Sequence, residues 1–353
     1  MIRQGIALAA LVSWLGCVGL IVAARRWKFG LDETRGETQK KHHLPTPRSG
    51  GMALALGFVA GLAVVNANGY SPWRFNLGLG VALLPLMLAA IWEDLRRHLA
   101  PLVRATAGVL SAALSVALCG ASIVRLDIPG IDSLLQHWPA LGWILAVVGI
   151  GAMPHAVNMI DGFHGLAAVV GAMILSAIGY VAFKVNDPQI MALAGIAVGA
   201  LLGFLFWNWP RGEIFLGDTG AYCIGFLSAL LAVLLVERHP QISPWFALLV
   251  LAYPAWELLF SVYRRRMLRG RPGMRADSLH LHHLIYRRLA RALQLGGPDH
   301  ARTSVNAYTA PYLWGLAAFS IGPAVLWWNR TPLLIGSCAL FVVAYGWAYR
   351  RLV

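Results

Sequence analysis

Long apolar runs recur along the entire chain, and they constrain its fold more than any other feature. Many approach the ~20 residues that an α-helix needs to cross the hydrocarbon core of a bilayer. Within lipid each spanning segment must satisfy its own backbone hydrogen bonds, and no stretch alternates like a β-barrel strand, so helices are the expected solution. The runs predict an all-α polytopic integral membrane protein with about eleven transmembrane helices. The predicted spans lie near residues 5–24, 51–69, 76–92, 104–122, 139–157, 164–183, 190–207, 219–236, 243–263, 311–328 and 333–349.

Composition supports the same class. The chain has 353 residues, of which 58% are hydrophobic and 12% are charged, whereas about a quarter of the residues in a soluble domain are charged. The four cysteines are dispersed in apolar segments, which fits neither a zinc site nor a disulfide framework. The first apolar run lacks a basic start and a small-residue cleavage site, so we expect a retained helix rather than a signal peptide. We expect one transmembrane domain over 1–353, with a long cytoplasmic loop at 264–310.

Basic residues are distributed unevenly between the two sides of the predicted bundle. With the predicted spans, 23 of the 29 lysines and arginines fall on one side and 6 on the other. The positive-inside rule makes the richer side cytoplasmic, which places the N-terminus outside and the C-terminus in the cytoplasm. The net charge of +14 is therefore mostly a cytoplasmic surface. About half of these residues need no role beyond topology and attraction to anionic lipid.

Five polar clusters fall on this predicted cytoplasmic face. Each has an ordinary explanation on its own: Glu93 and Asp94 could be a solvated helix end, Asp218 a helix N-cap, and Asn158 an interhelical hydrogen-bonding group. All five on one face are better explained by a shared site. The clusters are KKHHLPTPRSGG (40–51), WEDLRRHLAPLVR (92–104), NMIDGFHGL (158–166), FWNWPRGEIFLGDTG (206–220) and the loop 264–310.

The residue types in these clusters suit phosphoryl transfer at a membrane surface. Glu93, Asp94, Asp161 and Asp218 are hard oxygen ligands of the kind that Mg²⁺ uses together with water and substrate phosphates. The Gly-Asp-Thr-Gly turn before a helix would present backbone N–H groups to an anion. With basic residues around them, these groups fit transfer from a nucleotide-activated donor to a lipid.

A transporter or metal permease is the alternative from another functional class. It would need polar residues along the membrane depth, and only Glu257 is a clear intramembrane acid. It would also be expected to show internal repeats, and none is evident in the sequence. A third hypothesis is an inactive relative of such transferases that binds lipid or supports an assembly. Such a chain would be expected to lack Asp218 or the histidines described next, and this chain has them all.

Three histidines in the stretch ADSLHLHH could bind either phosphate or a transition metal. Asp277 is a good N-cap, which would make Ser278 the first helical residue and place His280 and His283 on one helix face, with His282 offset. Imidazoles at a helix N-terminus can donate to phosphate. A zinc site would need a fourth ligand or an open-site partner, and the other histidines are dispersed. We favour phosphate binding over a metal at these histidines.

These motifs resemble the polyprenyl-phosphate N-acetylhexosamine-1-phosphate transferases, the superfamily of MraY, WecA and TagO. The matches run in the family's order across roughly residues 40–285, and eleven spans are more similar to the WecA/TagO branch. The matching pieces are the Lys/His-Pro-Gly-Gly loop (40–51), Glu93-Asp94, Asn158-x-x-Asp161-Gly162-x-x-Gly165-Leu166, Phe215-Leu216-Gly217-Asp218-x-Gly220 and Asp277-x-x-His280-x-His282-His283.

The resemblance implies the reaction and its partners. A UDP-sugar, by default UDP-N-acetylglucosamine, would donate an N-acetylhexosamine-1-phosphate to undecaprenyl phosphate or another polyprenyl phosphate, with Mg²⁺ or Mn²⁺ and release of UMP. This would be the first membrane step of a cell-envelope glycan pathway, such as O-antigen or lipopolysaccharide synthesis. The site would lie on the cytoplasmic face of the bacterial inner membrane, in a chain that could form a homodimer. No nucleic-acid partner is expected.

The resemblance also implies roles for individual residues. Asp218 would be a direct Mg²⁺ ligand, and Asp94 a second metal-site residue or a catalytic acid. Phe215 would stack on uracil, the histidines would contact donor phosphates, and Lys41 and Arg48 would bind anions. The implied catalytic residues are Asp94, Glu93, Asp161 and Asp218. The implied substrate-binding residues are Lys41, Arg48, Asn158, Gly162, Asn208, Phe215, His280, His282 and His283.

Two positions depart from the family pattern. Glu93 stands where the family usually has Asp, and its carboxylate reaches one methylene further. His164 stands where the family often has a second acid, so a base contact assigned to that acid is not expected here. Direct attack by the lipid phosphate is the expected route, and a covalent route through Asp218 or Asp94 is the alternative.

Overall fold

A computed structural model describes residues 1–27, 31–32, 46–96, 99–268, 279–292 and 299–353. This part of the chain is helical apart from two short antiparallel strands, β1 (Leu31–Asp32) and β2 (Thr46–Pro47). A π-helical turn, Arg264–Leu268, extends α11. The helices are α1 (Ile2–Trp27), α2 (Gly50–Ala67), α3 (Trp73–Arg96), α4 (Pro101–Cys119), α5 (Ile131–His137), α6 (Pro139–Ile160), α7 (Leu166–Lys184), α8 (Pro188–Asn208), α9 (Gly217–Arg238), α10 (Pro244–Val250), α11 (Ala252–Tyr263), α12 (Leu281–Ala292), α13 (Asp299–Leu326) and α14 (Thr331–Leu352).

The number of candidate membrane spans agrees with the prediction. Among the described residues, 10 helices are long and apolar enough to cross a bilayer: all of them except α5, α10, α11 and α12. The pair α10 and α11 is bent by 72° and gives up to 11 spans when it is taken as one broken segment. The break has a local cause, because Pro254 has no N–H to donate to the carbonyl of Val250, the last residue of α10.

The predicted loop 264–310 contains more helix than its composition suggested. α12 lies inside it, and α13 begins at Asp299 rather than near 311. The first turns of α13 read DHARTSVNAY. Because this stretch is polar, a search for long apolar runs does not identify it as helix. Val305 and Ala307 are buried, so the helix packs against the protein from Val305 onward.

The centre of the bundle is α9. It is apolar on all sides, and 89% of its apolar span is buried, as expected for a helix surrounded by other helices. Glycine allows α6 to approach it closely, since a Cβ on Gly225 would lie 2.6 Å from the carbonyl oxygen of Met153. The N-terminus of α9 carries Asp218, so this packing places that carboxylate at the middle of one end of the bundle.

Candidate active site

The segment before α2 and the segment before α9 pair through their backbones. The N–H of Phe215 donates to the carbonyl of Pro47 at 2.8 Å, and the N–H groups of Gly50 and Gly51 donate to Phe215 and Leu216 at 3.0 and 2.8 Å. Any side chain on Gly51 would collide with this arrangement, because its Cβ would lie 2.0 Å from the nitrogen of Gly220. Two clusters that are far apart in the sequence therefore form one surface.

Asp94 caps the N-terminus of α9. Its Oδ1 accepts the backbone N–H of Asp218 and its Oδ2 accepts that of Thr219, both at 2.9 Å. These are N–H groups that a helix leaves unpaired at its start, and a carboxylate also interacts favourably with the helix dipole there. Asp94 is buried, and its bonds fix the backbone that carries Asp218.

Two arginines surround the Asp218 carboxylate. Arg48 Nη2 lies 3.7 Å from Oδ1 and Arg104 Nη1 lies 3.4 Å from Oδ2, while Asp218 itself is only 3% exposed. Arg104 also lies 3.7 Å from Glu93 Oε1. Buried carboxylates need such compensation to remain ionised. The other oxygen of Glu93 accepts the N–H of Leu99 at 2.9 Å, so the longer side chain reaches toward the start of α4.

Asp161 follows the last residue of α6 and belongs to the same electrostatic cluster. Burial raises the pKa of its carboxyl group to about 7; the charge of Arg48 opposes this rise, and the charges of Asp218 and Asp94 add to it. Asn158, one turn earlier, is adjacent to the phenol of Tyr222, which also neighbours Asp218. The turn after α6 and the start of α9 thus face each other across the site.

The three histidines pack together against the turn after α6. The rings of His280 and His282 are stacked with centroids 5.4 Å apart, and those of His282 and His283 are 4.4 Å apart. The ring of Phe163 lies edge-on to His282 at 5.5 Å. A Cβ on Gly162 would lie 3.2 Å from His282 Nε2, so glycine permits this approach.

The central histidine, His282, lies in surroundings that disfavour its cationic form. Burial, together with the nearby His283 and His280, lowers the pKa of His282 well below its ordinary value. A neutral imidazole has one N–H to donate. Within the part of the chain that the structure describes, no group of three His, Cys, Asp or Glu residues is arranged to hold a metal ion.

The predicted start of the histidine helix is wrong. Helix α12 begins at Leu281, so His280 precedes it, and Asp277 lies outside the described residues. The N–H of Leu281 instead donates to the Oε1 of Glu257 at 3.1 Å. A carboxylate from another helix therefore takes the place that the sequence suggested for a local N-cap.

The remaining predicted substrate-binding residues are Asn208, Phe215 and Lys41. Asn208 is buried, and its amide joins two loops, accepting the N–H of Gly165 at 2.7 Å and donating to the carbonyl of Ile214 at 2.8 Å. The ring of Phe215 lies 5.6 Å from that of His164 at a tilt of 32°. Lys41 lies outside the described residues.

An apolar groove reaches the acidic cluster from the side of the bundle. It has a volume of about 390 Å³ and lies between the end of α1, the start of α2 and the end of α3. Leu20, Trp27 and Met52 contribute apolar surface, and Asp94 lies in its lining.

Comparison with known proteins then identifies the family. The sequence model described as Glycosyl transferase family 4 matches residues 76–236. A phospho-N-acetylmuramoyl-pentapeptide-transferase of Synechococcus sp. (strain JA-2-3B'a(2-13)) is 31% identical over 332 residues, which cover 89% of this chain and 88% of that relative. The chain belongs to glycosyl transferase family 4. The family resemblance expected from the motifs is confirmed.

Other relatives of this family 4 chain carry names that mention polyprenyl phosphates. A "Probable undecaprenyl-phosphate N-acetylglucosaminyl 1-phosphate transferase" of Bacillus subtilis (strain 168) is 27% identical over 293 residues, covering 82% of this chain and 77% of the relative. A "Decaprenyl-phosphate N-acetylglucosaminephosphotransferase" of Mycobacterium tuberculosis (strain ATCC 25618 / H37Rv) is 27% identical over 331 residues, covering 86% and 78%. Family 4 membership makes the chain an enzyme of the polyprenyl-phosphate sugar-1-phosphate transferase group, in a multi-pass bacterial membrane protein family.

Three residues of the candidate site have contacts that the sequence did not reveal. The sequence predicts Arg104 only as a basic loop residue. Its position in the same cluster as Glu93 and Asp94 could have indicated a role in the site. Tyr222 lies in the apolar helix α9, and nothing in the neighbouring sequence indicates that it faces the site. Glu257 is an intramembrane acid that the sequence places near the same site, but its link to His280 depends on how α11 packs.

Proposed function

We propose that this family 4 enzyme transfers an N-acetylhexosamine-1-phosphate from a UDP-sugar to undecaprenyl phosphate and releases UMP. UDP-N-acetylglucosamine is the first donor to test, followed by UDP-N-acetylgalactosamine and deoxyhexosamine donors. The observation that carries the proposal is the cluster of Asp94, Asp161 and Asp218 with Arg48 and Arg104 at one end of a membrane bundle. The names of the relatives support it. The apolar groove beside Asp94 supports an acceptor that arrives from the membrane.

Asp218 and Asp94 are two carboxylates, and Mg²⁺ usually takes only one or two carboxylates and fills its other positions with water and substrate phosphates. This pair fits the magnesium ion on which enzymes of this family typically depend. The arginine nitrogens stand 3.4 and 3.7 Å from the Asp218 oxygens, longer than the roughly 2.7–2.9 Å of a tight charged hydrogen bond, so the carboxylate keeps lone pairs for an ion. Each oxygen of Asp94 already accepts an N–H, which suits it to orienting Asp218 or offering a remaining lone pair. A bound Mg²⁺, or Mn²⁺ in its place, would offset the charge of the pyrophosphate and of the leaving UMP.

Side chains of the cluster can offset the negative charge of the two phosphate-bearing substrates. Arg48 and Arg104 offer planar guanidinium groups, which bind phosphate oxygens with two hydrogen bonds. Asp161, with a pKa of about 7, can accept or release a proton near neutral pH. The histidines would contact donor phosphates, with neutral His282 contributing one N–H.

Direct displacement is the route that this geometry favours. An oxygen of the lipid phosphate bonds to the β-phosphorus of the donor, the bond to UMP breaks, and UMP leaves with the electron pair. Asp94 is a poor nucleophile for a covalent route because both of its oxygens accept backbone N–H groups. The site would act at the cytoplasmic face of the inner membrane, in the first membrane step of a cell-envelope glycan pathway.

The test is UMP release by purified protein with undecaprenyl phosphate and a panel of UDP-sugars, with and without Mg²⁺. Asp218→Asn should lower turnover by more than about 100-fold, since even residues behind metal ligands cost 10–100-fold. Asp187→Asn is a matched control, because Asp187 is a buried aspartate that caps α8 in another part of the bundle. The proposal is wrong if folded wild-type protein releases UMP from none of the donors.

A further inference from the structure

A buried carboxylate outside the acidic cluster lies behind the histidines. Glu257 on α11 is 1% exposed and accepts three hydrogen bonds. Its Oε1 lies 3.1 Å from His280 Nδ1 and accepts the N–H of Leu281 at 3.1 Å. Its Oε2 accepts the hydroxyl of Tyr345, on α14, at 2.7 Å. One carboxylate thus connects α11, the start of α12 and the last span.

A neighbouring contact fixes the same segment from its other side. Arg264 Nη1 donates to the carbonyl of Leu279 at 2.7 Å and to the hydroxyl of Tyr349 at 2.9 Å. Tyr345 and Tyr349 are four residues apart and share one face of α14. The ring of Phe260 packs edge-on against both, at 5.4 and 4.8 Å.

The last span, α14, is mostly exposed on the outside of the bundle, and only 17% of its apolar stretch is buried. A buried polar contact from this helix is therefore unusual. Within α14 the buried residues are Leu334, Phe341 and Tyr345. The one polar side chain among them, Tyr345, bonds to Glu257. A tyrosine placed here for packing alone would not need its hydroxyl directed at a buried carboxylate.

The bonds determine how His280 presents its ring. A carboxylate accepts only, so Nδ1 must carry the proton that it donates to Glu257. Nε2 is then the acceptor nitrogen of the ring, and it faces the guanidinium of Arg265, whose Nη2 lies 3.3 Å away. A carboxylate behind an imidazole fixes both its orientation and its tautomer. The hydroxyl of Tyr345 holds the second oxygen of that carboxylate and so limits its rotation.

We propose that Tyr345 and Glu257 are positioning residues for the donor-phosphate side of the site: Tyr345 holds Glu257, and Glu257 orients the imidazole of His280. The inference rests on the proposed function through the assignment of His280, and of the Arg265 guanidinium that its Nε2 faces, to the donor-phosphate side of the site. It gives the last membrane span a role in donor recognition.

Tyr345→Phe tests the proposal because it removes only the hydroxyl. The KM for the UDP-sugar should rise about tenfold, as for other residues that act through a ligand-contacting neighbour, and the KM for undecaprenyl phosphate should stay unchanged. Glu257→Gln should have an effect in the same direction and at least as large. The double variant should match Glu257→Gln, because residues that act through one another are not additive.

The matched control is Tyr312→Phe, since Tyr312 lies on the adjacent span α13 and is 61% exposed. It should keep wild-type constants. Melting temperatures separate a positioning effect from loss of the fold. Equal changes in both KM values, or an effect of Tyr345→Phe that persists in a His280→Ala background, would overturn the proposal.

A second measurement does not depend on turnover. The imidazole ¹⁵N resonances of His280, assigned by comparison with His280→Ala, should shift in Tyr345→Phe and stay in place in Tyr312→Phe. Unchanged His280 resonances in Tyr345→Phe would refute the linkage. Failure of the wild type to release UMP would refute the proposed function instead, so the two failures are distinguishable.

Discussion

At the scale of single residues, the site depends on close approaches that glycine permits. Gly217 has a φ of +70°, which L side chains rarely adopt. A Cβ there would lie 2.2 Å from the carbonyl oxygen of Arg48 and 2.7 Å from Asp94 Oδ1. The cap that Asp94 provides to α9 therefore requires this glycine.

Gly217→Ala should abolish most activity and lower the melting temperature. Backbone strain alone costs about 1–3 kcal/mol, and the collision with Asp94 adds to it. Gly315→Ala is the control, because nothing lies within 4 Å of a Cβ at that helical position; it should be neutral or stabilising. Equal melting temperatures for the two variants would contradict the close approach described here.

The carboxyl group of Asp161 predicts a pH dependence of stability. A free aspartate has a pKa of about 3.9, whereas burial raises the pKa of Asp161 to about 7. The folded state therefore binds this proton more tightly than the unfolded state, and stability falls as the pH rises from about 4 to about 7. Above that range the contribution is constant.

Asp161→Asn removes this titration. The melting temperature of the variant minus that of the wild type should increase between about pH 5 and pH 8. Measurements at constant ionic strength keep the screening of other charges fixed. A difference that does not change with pH would show that Asp161 is ionised equally easily in both states.

At the scale of secondary-structure elements, the end of α8 organises two loops of the site. Asn208 uses both functions of its amide to join the turn at Gly165 to the segment at Ile214. The sequence predicts a substrate contact at this residue, and its bonds in the structure support a positioning role.

Asn208→Asp separates the two interpretations. It keeps an acceptor for Gly165 but loses the donor to Ile214, leaving a buried carbonyl unpaired at a cost of about 1–3 kcal/mol, so the melting temperature should fall. Asn68→Asp is the control, because Asn68 makes the same type of bond, to the carbonyl of Val64, on the exposed surface. An unchanged melting temperature with a raised donor KM would favour a direct substrate contact instead.

At the scale of the whole molecule, the acidic cluster, the histidines and the apolar groove gather around one end of α9. The asymmetric distribution of 23 basic residues against 6 predicts that this end faces the cytoplasm. The opposite orientation would place the site away from the nucleotide-sugar pool that the proposed reaction needs.

Cysteine labelling tests this orientation. In a chain whose four cysteines are replaced by alanine, Arg3→Cys should react with a membrane-impermeant maleimide in intact cells. Arg351→Cys should react only after permeabilisation. Both residues are exposed, so accessibility depends on the side of the membrane. The reverse labelling pattern would invert the proposed topology.

Much of the fold could be read from the sequence because membrane insertion depends on local properties. Apolar runs of span length predicted about eleven spans, and the described residues contain ten such helices, or eleven with the bent pair, since each run responds to lipid largely on its own. The same criterion missed the polar first turns of α13 and the break between α10 and α11. Those features depend on packing and on a missing proline N–H rather than on hydropathy.

The sequence by itself determined the class of protein, the family and the residue types of the site. Only the tertiary structure decided how those residues are arranged: Asp94 caps α9 at Asp218, which is 124 positions away, Arg104 joins two carboxylates, and Tyr345 reaches Glu257 from the last span. The physical reason is that a buried carboxylate must find its donors wherever packing brings them. Partners so distant along the chain leave no periodic signal in the sequence.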